Sequence, residues 1–133
     1  LPFVLDASVA ACWAFDDEDH QVASLALERL RTDEALVPAL WWFEIRNVLI
    51  VSERRGRIGE DDTATFLRAL SRLGVTVDRA PEEHMVLAIA RRHRLTVYDA
   101  CYIELAQREG IALATLDGAL GRAARAQGVV VLA

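Results

Sequence analysis

The chain has 133 residues, 53% of them apolar, and a formal charge of −5 at neutral pH. That length suits one compact domain, residues 1–133, with a full core, and the acidic balance argues against a broad basic surface for nucleic acid. No apolar run approaches the ~20 residues of a membrane-spanning helix, and the first residues lack the charged-then-apolar build of a secretory signal, so the expectation is a soluble, cytoplasmic protein.

Phe3 to Asp6 reads as a first strand that is apolar until its final carboxylate. Cys12, like Cys101 far downstream, has no C-x-x-C partner and apolar neighbours, which reads as a core thiol. Val22, Leu25, Leu27 and Leu30 mark an apolar helical face, and Ala35 to Val37 a second strand. Trp42, Ile45, Leu49 and Ile50 recur at three-to-four spacing in a longer helix closed by Gly56 and Gly59, with Arg54, Arg55 and Arg57 clustered at its end. A third helix runs from about Asp61 to Leu73, followed by a strand at Val75 to Val77. A fourth begins at Pro81 with Glu82 and Glu83 in its first turn, and Arg91, Arg92 and Arg94 follow. Asp99 opens a fifth helix that ends at Gly110, Ile111 to Leu116 is a strand, Ala119 to Ala126 a short helix, and Val129 to Leu132 the last strand. The chain contains no lysine, so every basic side chain carries the planar fork that grips phosphate in bidentate fashion; each arginine cluster reads equally well as a solvated helix end.

Strands alternating with helices imply parallel pairing through right-handed crossovers. The expected architecture is a single-domain three-layer α/β sandwich: a five-stranded, mainly parallel sheet with helices on both faces. In such sheets ligand sites form beyond the carboxyl ends of the strands, where strand order reverses. Asp6 and Asp117 each end an apolar strand and so emerge at one edge; Glu44, early in the helix after the second strand, and Asp99, at a helix start, can face the same edge. Gathered carboxylates repel and rise in pKa unless a cation lies between them, and a hard divalent ion such as magnesium or manganese suits an all-oxygen set. Taken singly, Asp99 also reads as a helix N-cap and Asp117-Gly118 as an ordinary turn. Glu44 is harder to read as structural, because it stands among Trp41, Trp42, Phe43 and Ile45. Glu44 and Asn47 share one helix face, and Ser8 and Thr115 each stand two residues from an acid, where a hydroxyl can support it or make a local turn bond.

Phe-Val-Leu-Asp-Ala-Ser at residues 3 to 8, Phe-Glu-Ile-Arg-Asn-Val-Leu at 43 to 49, Leu-Thr-Val-Tyr-Asp-Ala-Cys-Tyr at 95 to 102 and Leu-Ala-Thr-Leu-Asp-Gly-Ala-Leu at 113 to 120 together resemble the PIN-domain family, most closely the VapC-like toxin ribonucleases of bacterial toxin–antitoxin pairs. The resemblance spans essentially the whole chain and rests on the order and spacing of the motifs. It implies that Asp6, Glu44, Asp99 and Asp117 are the catalytic and metal-holding acids, with Ser8, Asn47 and Thr115 supporting them. It further implies Mg²⁺ or Mn²⁺ as cofactor, RNA as substrate, a cognate antitoxin as partner and a homodimer. Gly118, Ala119 and Leu120 supply none of the further polar groups that some relatives carry after the last acid, which bears on whether one cation binds or two. Trp13, Phe15, Trp41 and Trp42 are candidates for lining an antitoxin groove, although aromatics at helical spacing are more often core.

Among rivals, aspartyl-nucleophile phosphatases call for an acid two residues after the first, where Ser8 stands, and like receiver domains they call for a lysine. A catalytically silent PIN-like binding module in a regulatory complex fits the same residues, because ligand-like acids do not prove turnover. The ion's role in the enzymatic reading is to bind the scissile phosphate and stabilise the leaving oxygen.

Overall fold

Phe3–Leu5 forms strand β1, and all three of its residues are fully buried. Successive side chains on a strand point to opposite faces, so burial of three in a row requires cover on both sides of the sheet. The computed structural model, which describes residues 1–133, supplies that cover with seven helices in the order β1, α1 (Ala7–Cys12), α2 (Gln21–Arg29), β2 (Ala35–Pro38), α3 (Leu40–Arg54), α4 (Glu60–Leu70), β3 (Val75–Asp78), α5 (Glu83–His93), α6 (Val97–Glu109), β4 (Ala112–Ala114) and α7 (Gly118–Ala126). Helix α6 lies across β1, β2 and β4 and is backed by α5, while α1 packs against α2 and α3.

The sheet has four strands, not the five expected, in the order β3-β2-β1-β4, and every pairing is parallel. The expected fifth strand, Val129 to Leu132, makes one isolated bridge, Val131 beside Leu113. Its two hydrogen bonds run from the Leu113 N–H to the Val130 carbonyl (2.8 Å) and from the Leu132 N–H to the Leu113 carbonyl (2.9 Å). Alternate residues of a strand direct their backbone groups to opposite sides, so a strand as short as β4 has one residue facing away from β1, and no ladder can grow there.

The strand order reverses at β1: β2 and β3 extend to one side, and the chain returns to place β4 on the other. The carboxyl ends of β1 and β4 therefore flank the switch point, and the residues immediately beyond them are Asp6 and Thr115 to Asp117.

Two helical faces differ from their sequence patterns. In α3 the buried positions are Trp41, Ile45, Leu49 and Ser52, while Trp42 and Ile50 are exposed. One position is about 100° of helix rotation, so taking Trp42 in place of Trp41 turns the face toward solvent. In α2, Ala23 and Ala26 face the core and Leu25 and Leu27 are exposed, because small side chains let this helix approach α1 closely. Helix α1 was not singled out by periodicity at all; at six residues it is under two turns.

Buried Glu104 on α6 and Asp78 at the end of β3 share one cation: Arg108 Nε donates to Glu104 at 2.7 Å and its Nη2 to Asp78 at 2.8 Å. This bridge fixes α6 to the outermost strand.

Candidate functional site

Asp6 follows β1, is only 6% exposed, and organises the edge. Its Oδ2 accepts hydrogen bonds from Ser8 Oγ at 2.8 Å and Thr115 Oγ1 at 2.7 Å. Both hydroxyls are themselves fixed: the Leu116 N–H donates to Ser8 Oγ at 3.0 Å, and the Asp117 N–H to Thr115 Oγ1 at 3.0 Å. The loop after β4 is thus laced to the loop after β1 through one carboxylate. Burial pushes the Asp6 carboxyl above its ordinary range, and the hydroxyls of Thr115 and Ser8 and the nearby backbone N–H groups only partly offset this.

Glu44, in the second turn of α3, accepts a hydrogen bond from the Tyr102 hydroxyl at 2.6 Å. Tyr102 is fully buried on α6 and joins two helices whose sequences are 58 residues apart at this bond. Burial, then the charge of Asp6, then the bond to Glu44 push its phenol far upward, so it remains a donor. Glu44 itself is pushed up by burial and by the charges of Asp6 and Asp99, against the Tyr102 bond. Asp99 is pushed up by burial, then by Asp117 and Asp6. The charge of Asp6 thus acts on both Glu44 and Asp99, and the charge of Asp117 on Asp99, as expected of side chains that share the carboxyl-end edge.

The two readings of Asp99 separate cleanly. Thr96, not Asp99, caps α6, its Oγ1 accepting the Asp99 N–H at 3.1 Å. The Asp99 carboxyl also engages Thr96, which draws its pKa down, but burial and the charges of Asp117 and Asp6 outweigh that. Asp117 does cap α7, its Oδ1 accepting the Leu120 N–H at 3.1 Å, which leaves its second oxygen for another partner. Asn47 is exposed and makes no hydrogen bond to the acids.

Asp6, Glu44 and Asp99, all with raised proton affinity, are an all-oxygen set that fits a hard divalent cation, which relieves the repulsion that protonation would otherwise relieve. No three of the four acids bring an oxygen each within 4.8 Å of one another, whereas Cys12, Glu18 and His20 hold their ligand atoms within that distance and could also coordinate a metal. Magnesium keeps several waters in its shell, so it does not need every carboxylate oxygen in direct contact.

Sequence reasoning missed Tyr102 as a partner of Glu44 and missed the Cys12 group. Cys12 and Cys101 are both free thiols. Arg57 lies over the Phe15 ring at 3.9 Å and donates to Asp17 at 2.7 Å, so it is engaged within the chain. Trp13 and Phe15, with Arg57, Ile58 and Phe66, line a groove of about 550 Å³, whereas Trp41 and Trp42 line a separate cleft of about 190 Å³. No helix is long and apolar enough to cross a membrane.

Residues 3–126 match the PIN domain family. The chain is 30% identical to Ribonuclease VapC3 of Pyrobaculum aerophilum over 120 residues, covering 88% of this chain and 90% of the relative. Among solved structures it is similar to PAE2754 from Pyrobaculum aerophilum (TM-score 0.76, 24% identity, 99% of this chain and 84% of that one). It is also similar to FitAcB from Neisseria gonorrhoeae (TM-score 0.68, 15% identity, 98% of this chain and 96% of that one). A third similar structure is VapBC2 from Rickettsia felis bound to a DNA fragment from their promoter (TM-score 0.67, 14% identity, 98% of this chain and 97% of that one).

Proposed function

The chain belongs to the PIN-domain family, with homology to VapC-like toxin–antitoxin ribonucleases, and from that premise we propose that it is a Mg²⁺- or Mn²⁺-dependent endoribonuclease, the toxin of a type II toxin–antitoxin pair. The observation that carries the proposal is Asp6: a buried carboxylate at the sheet's switch point, held by two hydroxyls, whose charge raises both Glu44 and Asp99. An anion kept under such strain is made for a counter-charge.

In this reading Asp6, Glu44, Asp99 and Asp117 hold the cation. When bound, it supplies the positive charge that draws in a phosphodiester and offsets the negative charge that builds up during hydrolysis. Ser8 and Thr115 fix the direction of the Asp6 oxygens, and Tyr102 fixes Glu44, so the acids meet substrate without reorganising. One of the acids takes the proton from the attacking water. RNA is the proposed substrate because the relative that covers most of the chain is a ribonuclease. The groove at Trp13, Phe15 and Phe66 is the proposed seat of an antitoxin segment, its aromatic floor and Arg57 rim suiting an amphipathic helix. The protomer is proposed to act as a homodimer.

The test is cleavage of a mixed RNA and of single-stranded DNA by the purified, partner-free chain with Mg²⁺, with Mn²⁺ and with a chelator. Cleavage of RNA that requires the cation and is lost in Asp6→Asn and Asp99→Asn supports the reading. Cation binding without cleavage of either polymer would favour the silent binding module.

A further inference from the structure

Away from the four acids, Cys12, Glu18 and His20 bring a sulfur, a carboxylate oxygen and an imidazole nitrogen within 4.8 Å of one another. All three fall within nine residues, in the pattern Cys-x₅-Glu-x-His, where α1 ends and the chain loops toward α2. The three groups are not spent on one another: no hydrogen bond joins any two of them. The Cys12 thiol donates a weak S–H···O hydrogen bond to the Ser8 carbonyl at 3.4 Å, and that proton is the one given up when the sulfur binds a metal. His20 occupies the N-cap position of α2, yet its side chain makes no capping bond. Glu18 reaches Arg57 Nη2 at 3.5 Å, but that nitrogen is held more closely by Asp17 at 2.7 Å, and the guanidinium rests on the Phe15 ring. Arg57 therefore keeps its place if Glu18 turns to another partner.

We propose that Cys12, Glu18 and His20 form a binding site for one borderline-soft divalent cation of the zinc class, separate from the four-acid site. The donor set decides the class. Thiolate and imidazole select zinc or cobalt over magnesium, whereas the all-oxygen set at the sheet edge selects the reverse. The bond lengths of tetrahedral zinc put its ligand atoms roughly 3.3–3.8 Å apart, so the group must close by only about 1 Å, a movement open to Glu18 and His20 in the connecting loop. On binding, the Cys12 thiol releases its proton to solvent as the sulfur–metal bond forms, His20 coordinates as neutral imidazole, Glu18 as carboxylate, and solvent takes the fourth position. No electron is transferred.

The site staples the loop that carries Trp13 to Asp17, the wall of the 550 Å³ groove, to helix α1. The same helix carries Ser8, whose hydroxyl holds Asp6 and whose carbonyl touches Cys12.

The experiment is a spectroscopic titration of Co²⁺ into the metal-free full chain under reducing conditions. One equivalent is expected to give thiolate-to-cobalt charge-transfer absorption and the visible bands of a four-coordinate ion, both removed when Zn²⁺ displaces cobalt. Cys12→Ser loses the charge-transfer band, His20→Ala weakens binding at least tenfold, and Asp6→Asn keeps the band, which separates this site from the acids. Absence of the band in the wild type overturns the proposal, as does its persistence at full strength in Cys12→Ser, which would move the thiolate to Cys101.

Discussion

Replacing Tyr102 with Phe removes one oxygen atom from a fully buried ring and nothing else. That oxygen donates to Glu44 at 2.6 Å, the length of a charge-assisted O–H···O⁻ bond. Hydrogen bonds to charged groups contribute about 1.5–3 kcal/mol. Glu44 is half-buried, so water replaces part of the lost interaction and the cost falls near the lower bound, about 1.5 kcal/mol. For a domain of this size the melting temperature should drop by roughly 5–8 °C, read by calorimetry in chelator at neutral pH. Glu44→Gln and the double variant complete a cycle, and the coupling between the two sites should be about 1–1.5 kcal/mol. A Tyr102→Phe protein that melts within about 1 °C of wild type, with no coupling to Glu44, would refute the view that this bond fixes the acid.

Thr115→Val keeps the shape but removes the hydroxyl that donates to Asp6 and accepts from the Asp117 N–H, so urea unfolding should show a loss of roughly 2–3 kcal/mol. Arg108→Ala strands the buried Glu104 carboxylate and should cost about 3 kcal/mol in the same assay, whereas Arg108→Met with Glu104→Leu should recover most of it. A single variant as stable as wild type would show that the bridge to Asp78 is ornamental. The pH dependence follows from the raised carboxyls of Asp6, Glu44 and Asp99 in the metal-free protein. A folded-state pKa above the unfolded one contributes stability below the ordinary carboxylate range, and that contribution is lost as pH rises through the folded value. The melting temperature of Asp6→Asn minus that of wild type, in chelator, should therefore increase as pH rises from acid to neutral, and a difference independent of pH would contradict the assigned strain.

The carboxyl-end edge was legible because its signals are local. An apolar run ending in Asp, as in Phe3 to Asp6, states both the strand and the direction in which its last side chain emerges. The alternation of elements then implied parallel strands, from which a shared edge for Asp6 and Asp117 follows. The bond between Glu44 and Tyr102 was not legible, because it depends on how α3 and α6 pack and no local pattern encodes that. Trp41 and Trp42 are adjacent, so hydropathy alone could not say which faces inward. Val129 to Leu132 has the composition of a strand, but pairing depends on the length of the neighbouring edge, and β4 offers it only Leu113. Cys12 was read from its apolar neighbours, which are real, while the approach of Glu18 and His20 required the turn that follows α1.

Calorimetric titration of Mn²⁺ and Mg²⁺ into the metal-free, partner-free chain tests most directly whether the four acids act as one cation site. Saturable binding is expected in the wild type, weakened at least tenfold in both Asp6→Asn and Asp99→Asn while each variant stays folded. Binding in either variant as tight as in the wild type, or no binding in a folded wild type, would contradict this.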